Sequence, residues 1–177
     1  MDKVILVDKP KEWTSFDVVG KIRSSLRQAT GQKVKVGHAG TLDPLATGLL
    51  IVLVGKATKS QDSFMKQDKI YDVVLKLGQT STTADEEGQK TDVSDHQPTL
   101  EEVKDAAESF VGTISQIPPA YSAIKIDGQR AYKLARAGKE VKIEPRTVTI
   151  HSISDLTYDY PLVSFTANVS SGTYIRS

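Results

Sequence analysis

The stretch that most restricts the fold is LLIVLV, Leu49 to Val54, the longest apolar run in the chain. It is far shorter than the roughly 20 residues needed to span a bilayer, but it suits one strand buried on both faces. The turn leading into it, GHAGTLDPLATG (Gly37–Gly48), is rich in glycine and carries a single carboxylate, Asp43. Asp before Pro is a common turn pair, because Pro44 fixes its own φ and drives Asp43 toward an extended backbone. Asp43 is therefore either turn chemistry or a carboxylate presented to a substrate at the mouth of a buried strand.

The flanking sequence supplies the rest of an α+β pattern. KVILVDKP reads as a short strand ended by Pro10, and TSFDVVGKIRSSLRQ as a helix. Thr14 and Asp17 form a capping-box pair there, with Phe16, Val19, Ile22 and Leu26 at helical spacing. YDVVLKLG is a further strand, and TSTTADEEGQKTDVSDHQP a polar, acidic surface loop. TLEEVKDAAESFVG is a helix capped by Thr99 with Glu102 and closed by Gly112. KIDGQR predicts a hairpin or tight turn at Asp127-Gly128 before the short helical stretch RAYKLARAG. RTVTIHSISDLTYDYPLVSFTANVSS reads as two strands around Asp159 to Pro161. Neither repeats nor a low-complexity linker interrupt the chain, and the elements do not alternate as βαβ units.

Composition narrows the function. The chain of 177 residues suits one domain with a sizeable core, and its 25% charged residues read as soluble and globular. No cysteine is present, so disulfides and thiolate metal sites are excluded and a reducing cytoplasm is allowed. His38, His96 and His151 lack ligand-like spacing, which argues against a metal. The net charge of +1 is unevenly spread. Lys and Arg outnumber Asp and Glu eight to four from Met1 to Gly40 and seven to three from Val111 to Ile150, but fall to three against ten from Tyr71 to Phe110. A basic face for nucleic acid is possible on such a chain.

Walker, G-x-G-x-x-G, H-E-x-x-H and G-x-S-x-G patterns are all missing, which removes the commonest nucleotide, protease and esterase readings. Glycoside hydrolysis needs two carboxylates, and the informative stretch supplies one. What remains is Asp43, with His38 shortly before it, and two late elements, IPPAYSAIK and SSGTYIRS.

These stretches together resemble the TruB family of tRNA pseudouridine synthases. GHAGTLDPLATGLL resembles the family's catalytic motif, and VDKPKEWTSFDVV, KIYDVVLKLG, QIPPAYSAIKIDGQRAYKLARAG and SSGTYIRS match its other motifs in the same order, over essentially the whole chain. Glu12 departs from the pattern, standing where the family usually has glycine. The resemblance implies the pseudouridine-synthase fold, a mixed, mainly antiparallel sheet flanked by helices. It also implies that residues 1–177 are an incomplete catalytic domain, truncated at the C-terminus, with an RNA-clamping insertion at about 120–146 and the C-terminal RNA-binding domain absent. Such a fragment is expected to be inactive alone.

By the same resemblance Asp43 is the catalytic aspartate of an isomerase that cuts the C1′–N1 bond of the T-loop uridine, turns the base and rejoins it through C5. Arg176 corresponds to the arginine that pairs with that carboxylate, which would keep it ionised. Tyr71 corresponds to the tyrosine that stacks on the flipped uracil, Tyr174 to a second pocket tyrosine, and His38 to a histidine that fills the gap left by the extruded nucleotide. Lys125, Arg130, Lys133, Arg136 and Lys139 are spaced to suit phosphate contacts. No metal or organic cofactor is implied. The expected partner is the T-arm stem-loop of tRNA, met by a monomer in the cytoplasm and away from membranes. Two readings of other classes compete: a non-catalytic tRNA-folding module using the same groove, and a glycosidase or base-excision enzyme acting on the same bond. A carboxylate facing phosphate-rich RNA has no use in the first, and release of free uracil would mark the second.

Overall fold

The apolar run forms the middle strand of a three-stranded antiparallel sheet. The computed structural model describes residues 1–122, 124–126, 128–138 and 143–177, with only the backbone of 125, 126, 130, 132, 133 and 136. These residues divide into two units, Met1–Gln67 and Asp68–Ser177.

In the first unit β1 (Lys3–Lys9) leads into α1 (Ser15–Thr30), β2 (Val36–His38) and β3 (Gly48–Val54), with sheet order β1-β3-β2. The capping box fixes where α1 begins. The Asp17 N–H donates to Thr14 Oγ1 at 3.1 Å, and the Thr14 N–H donates to Asp17 Oδ2 at 2.9 Å. Gly31 ends the helix at φ 69°, in the left-handed region that glycine adopts without strain. The core joins Val18 and Val19 of α1 to Val36, Leu50, Val52 and Val54, with Ile5, Val7, Ile22 and Leu26 packed around them. Each such side chain contributes about 1.5–3 kcal/mol when fully buried.

Two expectations change here. Phe16 is 65% exposed, and the helix buries Val18 beside Val19 instead. The run is not buried on both faces along its length. Leu50, Val52 and Val54 face the helix, whereas Leu49, opposite Asp8 at the end of the ladder, is 63% exposed. A short 3₁₀ segment, Gly55–Ser60, and α2 (Gln61–Met65) follow.

The second unit runs β4 (Lys69–Lys76), β5 (Gln79–Ser81), β6 (Lys90–Asp92), α3 (Leu100–Ser109), β7 (Gly112–Gln116), β8 (Lys125–Ile126), β9 (Gln129–Arg130), α4 (Ala131–Arg136), β10 (Arg146–Asp159) and β11 (Leu162–Val169). Its main sheet has the order β4-β11-β10-β7, and every strand pair among the described residues is antiparallel. The β10–β11 hairpin turns between Asp159 and Leu162 as its turn residues predict. The acidic loop holds the small β5–β6 ladder, whose polar three-residue strands leave no alternation to read. Gly112 does not close α3: Phe110 caps that helix, and Gly112, at φ 120°, opens β7. β8 and β9 flank the expected turn, where Gly128 has φ 82°, while Asp127 lies outside the described residues. No helix among the described residues is long and apolar enough to cross a membrane.

Candidate active site

Asp43 sits in a turn whose backbone is gripped from two sides. The Ala46 N–H closes the turn onto the Asp43 carbonyl at 3.1 Å. Before it, buried Ser15 holds both backbone groups of Leu42, its hydroxyl donating to the carbonyl at 3.1 Å and accepting the N–H at 3.0 Å. After it, the Pro44 carbonyl accepts from the Glu12 N–H at 2.8 Å and from Lys9 Nζ at 3.1 Å.

Lys9 is the most informative residue of this unit. It ends β1 on the same face as Ile5 and Val7 and is fully buried. Its ammonium, with three donors and no acceptor, also donates to the carbonyls of Pro10 at 3.0 Å and Trp13 at 2.6 Å. One cation thus ties the end of β1, the entry to α1 and the Asp43 turn together. Burial lowers its pKa from the usual lysine value, and the negative charge of Asp43 acts the other way. Glu12, in the same crossing, has φ 70°. That backbone region favours glycine, which accounts for the glycine the family usually places there.

His38 ends β2 and is half-buried. Its Nδ1 lies 2.6 Å from the Gly40 carbonyl, which can only accept, so Nδ1 carries the proton of that hydrogen bond. Gly40, at φ 113°, and Gly48, at φ 104°, take backbone conformations at the two ends of the turn that side chains rarely permit. The result is a rigid turn carrying a carboxylate that can serve as nucleophile or base.

In the second unit Tyr71 lies in β4 opposite Ala167 of β11. Tyr174 and Arg176 share the turn that follows β11. The Arg176 guanidinium donates through Nη1 to the Thr83 carbonyl at 2.9 Å and through Nη2 to the Tyr121 carbonyl at 3.0 Å, with Asp85 Oδ2 3.6 Å from Nη1. Asp85 is itself oriented, its Oδ1 accepting from Thr83 Oγ1 and from the Glu87 N–H. The acidic loop is therefore a partner of Arg176 and not simply a solvated surface. Gln116, buried at the end of β7, accepts the Tyr174 N–H and donates to the Tyr174 carbonyl.

Sequence reading missed Lys9, Ser15, Asp85 and Gln116. For Lys9 a signal existed, since strict alternation in KVILVDK puts it with Ile5 and Val7 on the inward face. The side chains of Lys125, Arg130, Lys133 and Arg136, and all of Lys139, lie outside the described residues. No cluster of three His, Asp or Glu stands ready for a metal among the described residues.

Comparison with known proteins agrees with this arrangement of motifs. The model of the TruB family pseudouridylate synthase N-terminal domain matches residues 27–175. The chain is 47% identical over 178 residues to tRNA pseudouridine synthase B of Parabacteroides distasonis, covering 99% of this chain and 75% of that protein. It is also 47% identical to tRNA pseudouridine synthase B of Clostridium novyi, covering all of this chain and 60% of that one. Among solved structures, the crystal structure of a Cbf5-Nop10-Gar1 complex contains a chain that superposes with a TM-score of 0.68 at 28% identity, over 98% of this chain and 41% of its own length. A structure of an H/ACA RNP bound to a substrate RNA containing 2′-deoxyuridine gives 0.66 at 25% identity, over 98% of this chain and 39% of the other.

Proposed function

Because this chain belongs to the TruB family of pseudouridylate synthases, we propose that it carries the catalytic aspartate of a tRNA pseudouridine synthase acting on the T-loop uridine. Asp43 attacks C1′ or removes the 2′ proton, the C1′–N1 bond breaks, and the base turns within the site. C5 then bonds to C1′ as Asp43 is displaced or the 2′ proton returned, and C5 loses its proton while N1 gains one. The product has the composition of the substrate, so no co-reactant is required. The uridine leaves its stack before this chemistry, at a cost of a few kcal/mol. Tyr71 and Tyr174 offer aromatic faces to the extruded base, and His38 fills the place it vacates. Arg176 supplies positive charge, and Lys125 and Arg136 meet phosphates of the T-arm stem. The protein works as a monomer in the cytoplasm, where tRNA is its partner.

The observation that carries this reading is the gripped turn. A turn aspartate with no task does not need a buried ammonium, a buried hydroxyl and the Glu12 N–H to hold its neighbours. The test is product analysis on T-loop RNA labelled at C5 of the target uridine. Tritium release with pseudouridine left in the chain is expected, whereas free uracil would assign a glycosidase. Since the chain spans 60–75% of the length of these relatives, the assay is run on residues 1–177 alone and with the segment by which the relatives are longer.

A further inference from the structure

We propose that Gln116 is a positioning residue for this reaction: its buried carboxamide sets the turn that carries Tyr174 and Arg176. The inference rests on the reading of those two residues as parts of the active site. Gln116 ends β7 and is 7% exposed. Its Oε1 accepts the Tyr174 N–H at 2.9 Å, while Nε2 donates to the Tyr174 carbonyl at 2.9 Å and to the main-chain oxygen of Ser177 at 3.2 Å. A side-chain amide that engages both backbone groups of one residue reproduces the pairing of a strand, here across 58 positions of sequence.

The turn's own backbone bonds are long by comparison, from the Thr173 N–H to the Ser170 carbonyl at 3.4 Å and from the Ser177 N–H to the Tyr174 carbonyl at 3.2 Å. Gln116 therefore supplies shorter anchors to the Tyr174 backbone than the turn's own Ser177 N–H does. The same strand end leads directly into Ile117–Tyr121, whose last carbonyl receives Arg176 Nη2. The arginine and one of its acceptors thus both depend on the end of β7, and a shift there changes their relative placement.

Gln116 lies on the face of β7 that also carries Ile114, where the strand's alternation calls for an apolar side chain. Burying an amide there is unfavourable unless its groups are satisfied, and the Tyr174 turn satisfies them. A core role alone would be met by leucine or methionine.

The test compares Gln116→Met, which keeps length and burial but loses all three hydrogen bonds, with Gln116→Glu, which keeps the acceptor and lacks a donor while ionised. In the protein carrying the segment by which its relatives are longer, single-turnover pseudouridine formation at saturating T-loop RNA is measured with RNA affinity and thermal stability. Val148→Ala, a buried change in the same sheet, is the control for stability alone. Gln116→Met is expected to slow the chemical step about 10²-fold with RNA affinity changed by less than about threefold. Gln116→Glu is expected to gain rate relative to the parent as pH falls and its carboxyl acquires a donor proton. A rate loss no larger than that of Val148→Ala, or a loss wholly in RNA affinity, overturns the proposal. If Gln116→Met fails to fold, the pH profile of Gln116→Glu decides, and a profile parallel to the parent's counts against it. Arg176→Met separates the two levels. An active Arg176→Met removes the underlying reading of the site, whereas an inactive one beside a normal Gln116→Met sinks the positioning role alone.

Discussion

Each of the two units holds a turn that carries candidate site residues and is gripped by a buried polar side chain at a strand end, but they choose opposite chemistries. At the end of β1, Lys9 grips three carbonyls with a cation, and the turn it holds carries the Asp43 carboxylate. At the end of β7, Gln116 grips with a neutral amide, and its turn carries the Arg176 cation. The difference follows from charge. A buried ammonium is tolerable where an anion lies nearby and all three protons are used. Beside a guanidinium the same ammonium would add repulsion, so a neutral group that both donates and accepts is the better support. Each pin takes the charge its turn can accept.

The largest expected effect comes from removing the charged pin. Lys9→Met should cost at least about 3 kcal/mol, because three carbonyls lose a buried donor at once. That rivals the 2–5 kcal/mol typical of a large-to-small core change such as Leu50→Ala. Trp13 is the only tryptophan and its carbonyl is one of the three acceptors, so denaturant unfolding followed by tryptophan fluorescence reads the loss directly. A change below about 1 kcal/mol would mean the ammonium is not a structural pin.

Exchanging the chemistries sharpens the comparison. Gln116→Lys should be worse than Gln116→Met by about 1 kcal/mol, since both leave the Tyr174 N–H without its acceptor but only lysine adds a cation near Arg176. Equal stabilities for the two variants, measured by urea unfolding, would show that charge does not decide which pin is used.

These pins also mark the limit of what the sequence discloses. The helix starts were legible because a capping box is local: Thr14 with Asp17, and Thr99 with Glu102, announce themselves within four residues. The β10–β11 hairpin was legible from its turn. β2, β5 and β6 were not, because strands of three residues carry no period. β7 was lost in the motif around it, and with it the inward position of Gln116. Asp85 looked like one more charge in an acidic stretch, since only tertiary pairing distinguishes it from its neighbours. Asp43 and His38 stood out in the glycine-rich turn, but the roles expected of them, and Tyr71, Tyr174 and Arg176 as candidates, came from resemblance, a source of information that composition and periodicity do not contain.

Smaller effects test the local frame. Thr99→Ala should cost about 1 kcal/mol through the lost cap, and it should change the acid limb of stability. Glu102 has its pKa lowered by hydrogen bonds from the Thr99 backbone and side chain, as Asp17 does by those from Thr14. A carboxyl depressed in the folded state stabilises above its ordinary range and loses that contribution as pH falls through it. Stability should therefore decline below the usual carboxylate values, and Thr99→Ala should flatten the decline in thermal melts across that range. Glu12→Gly should act in the opposite direction, adding about 1 kcal/mol by relieving a left-handed backbone, with the melting temperature as its readout. A loss of stability instead would show that the Glu12 side chain compensates its own strain.

The most direct measurement concerns Asp43 itself, in the protein carrying the segment by which its relatives are longer. Asp43→Asn keeps the shape of the side chain and removes its charge and basicity. Tritium release from C5-labelled T-loop RNA should vanish in this variant while RNA affinity stays within about threefold of the parent, because the amide leaves the binding surface in place. Substantial residual release by Asp43→Asn would contradict the assignment of this carboxylate to the chemistry, and with it the reason for the buried ammonium beneath its turn.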